Sequence, residues 1–209
     1  MTTAKTRAQA AAWAIVPAGA DRWDDLETLF GTRGAHGGCW CLWWRLPHAE
    51  FGRLRRAQRR RRLQALVRRG APPGLIGYAD GQPVAWVSLG PRVDFAAIEA
   101  SRLLRRLDDR PVWSVVCFFV RHDRRRQGWM RRLLRAAADY AAAHGATLLE
   151  GYPLDCAGRR LTGYAGYTGV ASTFAAEGFR EVARPRPDLL VMRRRLRRRR
   201  RQPPRGRTS

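Results

Sequence analysis

The sequence predicts a single α/β domain, and three stretches carry that prediction. An apolar run at residues 112–120, VWSVVCFFV, breaks into a polar turn dense in arginine and then into a helix. The run is rich in Val, Phe and Trp and too short to span a membrane, so it reads as a buried strand. Residues 75–89, LIGYADGQPVAWVSL, set an Asp-Gly pair between two apolar stretches, a strong hairpin signal. Residues 172–184, STFAAEGFREVAR, give a helix closed by Gly178 and a returning strand.

In chain order, residues 13–16 suit a first strand, and Asp21 opens a short helix that runs to Phe30. Residues 47–69 read as one long helix in which Phe51, Leu54, Leu63, Leu66 and Val67 form an interrupted core stripe. The hairpin supplies the second and third strands and the run at 112–120 the fourth. From Met130 onward, Met130, Leu133, Leu134, Ala137, Ala138 and Ala141 share one helical face, and Gly145 follows where a helix commonly stops. Residues 147–152 form a fifth strand, and residues 189–193 pair with the strand that ends the 172–184 segment.

Between the central strand and its helix lies Arg125-Arg126-Gln127-Gly128-Trp129-Met130. Unpaired N–H groups at a helix start, together with the positive end of its dipole, bind phosphate without needing a particular side chain.

At these residues the sequence resembles the GNAT family of acetyl-CoA-dependent N-acetyltransferases, whose motif runs Gln or Arg, two residues, Gly, one residue, Gly or Ala. Arg125, Gly128 and Met130 stand at those places. The order of elements and the helix, Gly-Phe, strand ending extend the resemblance through almost the whole chain. GCWCLWWR at residues 38–45 and EGYPLD at 150–155 are similar to an uncharacterised branch of the family. The resemblance implies a mixed, mostly antiparallel sheet of six or seven strands flanked by helices, with an acetyl-CoA cleft where the fourth and fifth strands part. It implies that Phe118, Phe119 and Val120 bond to the pantetheine arm and that the amides of Arg125, Arg126, Gln127, Gly128, Trp129 and Met130 hold the pyrophosphate. Arg126 stands where a second glycine is common, and Met130 replaces a small residue that lets backbone approach the phosphates. The implied reaction moves an acetyl group from acetyl-CoA, the acyl-donor co-substrate, to a primary amine of a small-molecule or peptide acceptor by direct attack in a ternary complex. Two alternatives keep the fold: a catalytically degenerate CoA-binding module, and a nucleic-acid- or ribosome-associated protein that uses an Arg-rich helix and tail.

Acetyl transfer needs a neutral amine aimed at the thioester, stabilisation of the oxyanion, and a proton for the leaving thiolate; most of this is positioning. The resemblance implies oxyanion help from a backbone N–H on the central strand, within residues 118–120. Glu150, late in the fifth strand, is the candidate general base if it faces a partly apolar cleft that raises its pKa. The other reading is a solvent-facing strand residue paired with one of many arginines. Asp155 is a second candidate base. The family often carries a tyrosine acid four residues before the Gly of its Gly-Phe ending; here that position is Phe174, which cannot donate. Tyr167, with Tyr164, in the loop LTGYAGYTG, is the alternative proton donor, against the reading that these rings pack over the core.

Cys39-Trp40-Cys41, with His36 and His48 nearby, lacks the second ligand pair of a structural zinc site, so no metal is expected. Trp40, Trp43 and Trp44 instead suggest an aromatic wall for an apolar or cationic acceptor, or else core.

A chain of 209 residues with 45% hydrophobic content fits one domain with a full core. The expected organisation is a flexible tail at residues 1–12, the acetyltransferase domain at 13–195, and a disordered Arg-rich tail at 196–209. Lys5 and Arg7 precede a short apolar stretch, but Pro17 breaks it, which argues against a secretory signal. Cys39, Cys41, Cys117 and Cys156 lack the spacing of a disulfide framework, so a reduced, cytoplasmic protein without a membrane span is expected. The formal net charge is +24, and all but Lys5 of the 41 basic residues are Arg. Residues 193–209 hold ten of these and no acid, which leaves +14 for the rest. Such a tail either binds nucleic acid nonspecifically, with strong salt dependence, or is merely solvated. Residues 53–69 carry nine further Arg, and a solvated face is the default reading there.

Overall fold

Alternation of side chains along each strand gives the sheet two apolar faces, and helices cover both. The computed structural model describes residues 13–156 and 163–197, with side chains described outside 163–165. The tail at residues 1–12, most of the Arg-rich tail and the Tyr164 side chain lie outside the described residues. Among the described residues the seven strands are β1 Trp13–Pro17, β2 Gly74–Ala79, β3 Gln82–Pro91, β4 Trp113–Val120, β5 Leu148–Gly151, β6 Arg180–Arg186 and β7 Leu189–Arg195. They form one sheet in the order β1-β2-β3-β4-β5-β7-β6. All neighbours are antiparallel except β4 and β5, which is the mixed, mostly antiparallel sheet expected. Asp80 and Gly81 join β2 to β3 with φ of 51° and 75°, the left-handed pair that a two-residue hairpin turn requires.

The helices are α1 Trp23–Phe30, α2 His48–Arg53, α3 Arg56–Arg68, α4 Ala96–Glu99, α5 Trp129–Ala143 and α6 Ala171–Ala176. The single long helix expected at 47–69 is two. Leu54 and Arg55 are extended, with ψ of 132° and 159°, and Gln58 Oε1 accepts from the Arg55 N–H at 2.7 Å to start α3 afresh. The break lets Arg59 stack its guanidinium 3.8 Å over the Phe51 ring. Arg60 pairs with Glu27 and Arg62 with Glu50, so much of this arginine face is already engaged within the fold.

On one face Leu75, Val87, Val115 and Phe118 pack against Leu133, Leu134, Ala137 and Ala138 of α5. On the other, Ile76 and Trp86 meet Leu26 and Phe30 of α1 and Leu63 and Val67 of α3. Ser88 pairs with Cys117 but Leu89 with Val115, so Val116 is an extra residue in β4. This bulge leaves Val116 and Cys117 on the same face, away from α5, where both join Phe95, Ile98, Tyr152 and Val191. Helix α4 belongs to this third cluster; at four residues it is too short to announce itself by periodicity.

The first residue of α5, Trp129, is seated by the absence of a side chain at Gly77 in β2. A Cβ there would stand 2.9 Å from the Trp129 ring. Gly77→Ala is therefore expected to destabilise the fold by about 1–3 kcal/mol, read as a lower urea midpoint. An unchanged midpoint would show that the indole has room to move.

Candidate active site

After β4 the chain makes a short 310 turn at His122–Arg124, and Arg125 is extended before Arg126 and Gly128 take φ of 62° and 76°. Gly128 precedes α5, whose start has no side-chain cap and no acid in its first turn. Its first N–H groups and the positive dipole end are thereby left for a ligand. The loop's own side chains brace it from behind. Arg125 Nε donates to the Val120 carbonyl at 3.2 Å, Gln127 Nε2 to the Asp123 carbonyl at 3.3 Å, and Arg121 pairs with Asp123 at 2.7 Å. No atom lies within 4 Å of where a Gly128 Cβ would stand, so the backbone is open to close approach. Arg126 occupies the left-handed conformation that glycine takes freely, at a cost of about 1–2 kcal/mol. Met130 is half-buried against the α5 core, its sulfur beside Gly169, which turns its bulk inward.

β5 pairs with β4 at Trp113–Leu149, Ser114–Glu150 and Val115–Gly151, and β4 then runs on to Val120 while the chain after Gly151 leaves to bridge Val170 and Leu189 through Leu154. The strands part there, as expected. Along the parted stretch Phe118 is buried under α5, whereas Phe119 points to the opposite face.

Phe119 points into a cavity of about 530 Å³ walled by Trp43, Trp44, Trp86, His36 and Tyr167. Phe30 meets Trp86 and Phe119 edge-on, each at 5.7 Å, and the Tyr167 ring lies 4.9 Å from His36. Trp43 stacks on His48 at 4.4 Å. Of the three tryptophans suggested as a wall, Trp43 and Trp44 line the cavity, while Trp40 is core, 6.1 Å from Trp23. Cys39, Cys41 and Cys117 also face this space. Trp86 Nε1 donates to Cys41 Sγ at 3.1 Å. A hydrogen bond from the Cys117 thiol, aided by Trp86, Ser88 and Arg45, outweighs burial and brings the Cys41 thiol down to about 7. Burial, with Cys41 alongside, lifts Cys39 to about 11. Among the described residues no group of three or more His, Cys, Asp or Glu is arranged to hold a metal.

Glu150 does not face an open cleft, and the expectation for its surroundings is corrected. It is fully buried; Oε1 accepts from Arg92 Nη1 at 2.6 Å and from the Tyr152 hydroxyl at 2.7 Å, and Oε2 accepts from Arg193 Nε at 2.6 Å. Tyr152 also meets the Ser114 hydroxyl at 2.9 Å, and burial pushes its phenol well up, so it remains a donor. Arg92 further binds Glu99 and the Leu104 carbonyl, and Arg193 binds Asp108 at 2.6 Å. The arginine pairing expected of the other reading is present, because β7 sets Arg193 directly across from Glu150, but the carboxylate is buried rather than solvent-facing. Asp155 is half-exposed and accepts from Arg184 at 2.9 Å. Phe174 is buried against Phe118 and Phe179. Arg92 carried no sequence signal, being one arginine among many; Trp86 and Cys117 read only as strand residues.

An uncapped helix start thus lies on one side of a parting strand pair, and an apolar cavity on the other. The chain belongs to the GNAT acetyltransferase family: the model described as Acetyltransferase (GNAT) family matches residues 40–153. The family supports acetyl transfer from acetyl-CoA to an amine as its general reaction. A search of curated protein sequences finds no significant match. Solved structures agree in fold. A putative acetyltransferase, yncA, from Salmonella typhimurium, solved with its cofactor acetyl-CoA, is 16% identical over 88% of this chain and 94% of its own, with a TM-score of 0.51. A polyamine N-acetyltransferase from Drosophila melanogaster is 14% identical over 88% of this chain and 100% of its own, at 0.53. No helix among the described residues is long and apolar enough to cross a membrane.

Glu150→Ala strands two buried guanidiniums and is expected to cost about 3–5 kcal/mol in denaturant unfolding, whereas Asp155→Ala should cost under about 1 kcal/mol. Equal effects would deny the cage its structural weight. Alkylation by iodoacetamide, mapped by peptide mass, should rise at Cys41 through pH about 7, since the reactive thiolate lies above that value, and at Cys39 only toward about 11. Simultaneous modification of both would contradict the separation.

Proposed function

We propose that this protein transfers the acetyl group of acetyl-CoA to a primary amine held in the tryptophan-walled cavity, by direct attack within a ternary complex. The observation that carries the reading is the parting of β4 from β5 between the uncapped start of α5 and that cavity. The amides of residues 125–130 hold the pyrophosphate, and the strongly basic surface draws the polyanion in. The freed edge of β4 at Phe118, Phe119 and Val120 supplies backbone groups to the pantetheine arm and one N–H to the oxyanion. The turned-in Met130 and the left-handed Arg126 leave this cradle open, which favours a working site over a degenerate one.

Glu150 acts here as a positioning residue, holding β5 against β4 up to the point of separation. The amine therefore enters neutral and gives its proton to water as it attacks. Tyr167, on the cavity wall, is the donor to the departing thiolate. It approaches from the loop before α6, because Phe174 offers no hydroxyl in the helix itself.

Calorimetry of the full-length protein should give saturable micromolar binding of acetyl-CoA, weakened about tenfold in Gly128→Val, whose φ of 76° a β-branched residue resists. No binding by the parent protein would sink the donor-site assignment. Tyr167→Phe should lower kcat about 100-fold with KM for the amine little changed, measured by CoA release. An unchanged kcat removes Tyr167 from the chemistry.

A further inference from the structure

The cavity wall carries information about the acceptor that the fold does not. Among the described residues, none that lines it is Asp, Glu, Lys or Arg. Of the carboxylates on nearby elements, Glu27 is paired with Arg60, Glu50 with Arg62 and Asp94 with Arg45, and Asp25 accepts from the Tyr78 hydroxyl. A polycationic amine entering this space would shed water from each charge and meet no anion in return, within a chain of net charge +24. A flat apolar amine meets the opposite conditions. The rings of Trp43, Trp44, Trp86 and Phe119 offer faces and edges for stacking, and His36 against Tyr167 closes the far side. A volume of about 530 Å³ takes a one- or two-ring body with a short amine arm.

We infer that the acceptor is a small aromatic monoamine of the arylalkylamine class, seated between the tryptophans with its nitrogen toward the parted end of β4. This rests on the proposed acetyl transfer for its chemistry, but the ligand class rests on the cavity alone. The Trp86 indole N–H is already given to Cys41, so that ring presents its apolar body rather than a donor to the ligand. Polar recognition is left to His36, Tyr167 and Thr168 at one side, enough to orient one amine and too little to hold several.

The experiment is calorimetric titration of the full-length protein with 2-phenylethylamine, tryptamine, agmatine and spermidine, each with and without saturating CoA, beside a titration with acetyl-CoA. The aromatic amines should bind saturably and at least tenfold more tightly than agmatine or spermidine. Trp43→Ala removes a ring that is 43% exposed, so the fold should tolerate it; it should weaken tryptamine at least fivefold and leave acetyl-CoA affinity unchanged. Agmatine or spermidine binding as tightly as the aromatic amines overturns the inference, as does unaltered tryptamine affinity in both Trp43→Ala and Phe119→Leu. Acetyl-CoA binding without aromatic-amine binding defeats the acceptor class while sparing the donor site; the reverse defeats the transferase reading while sparing the cavity's ligand class.

Discussion

The buried carboxylate of Glu150, gripped by Arg92 and Arg193, is the contact on which the site depends. It joins four parts of the chain: β5 through Glu150 itself, β7 through Arg193, β4 through the Tyr152 and Ser114 hydroxyls, and the 92–108 segment through Arg92 and Asp108. Desolvating three charges is costly, and the arrangement survives because both oxygens and both guanidiniums find partners at close range. Its position matters as much as its strength. Ser114–Glu150 is the pair immediately before Val115–Gly151, the last at which β4 and β5 meet. The strands are locked together one step before they separate, so the opening stays local.

Much of this architecture is legible in the sequence because it rests on periodicity and punctuation. The alternation around Asp80-Gly81, the one-sided stripe of α5 and Gly178 after α6 each mark an element with a physical reason. The loop at 125–130 is legible too, since backbone amides at a helix start need no special side chain. Side-chain partnerships across the sheet are not. Glu150 looks like a base while its neighbours are unknown and like a strut once Arg193 stands opposite it. Residues 54 and 55 escape for another reason: nothing in a run of helix-favouring arginines signals the break that brings Arg59 over Phe51.

The charge of the chain also changes meaning once partners are assigned. Among the described residues, many arginines are used as struts: Arg45 donates to the Pro73 and Leu89 carbonyls, Arg131 and Arg135 both hold Glu177, and Arg132 lies close to the rings of Trp13 and Trp129. Guanidinium geometry suits this, with several donors fixed in one plane and a face that stacks on aromatics. A high arginine count is then partly a structural vocabulary, and only the remainder bears on ligands.

The extra residue at Val116 has a consequence for how such a protein can diverge. Because two successive side chains leave β4 on the same side, Phe118 returns to the α5 face and Phe119 to the cavity. Loss of Val116 would return β4 to regular pairing, with Cys117 still opposite Ser88, Phe118 still on the α5 face and Phe119 still at the cavity. The bulge thus absorbs one residue without transposing anything downstream, whereas an added residue with no bulge to hold it would exchange the core's ring for the cavity's. Descendants can change length here without rebuilding either site, provided that each extra residue is taken up in a kink of this kind.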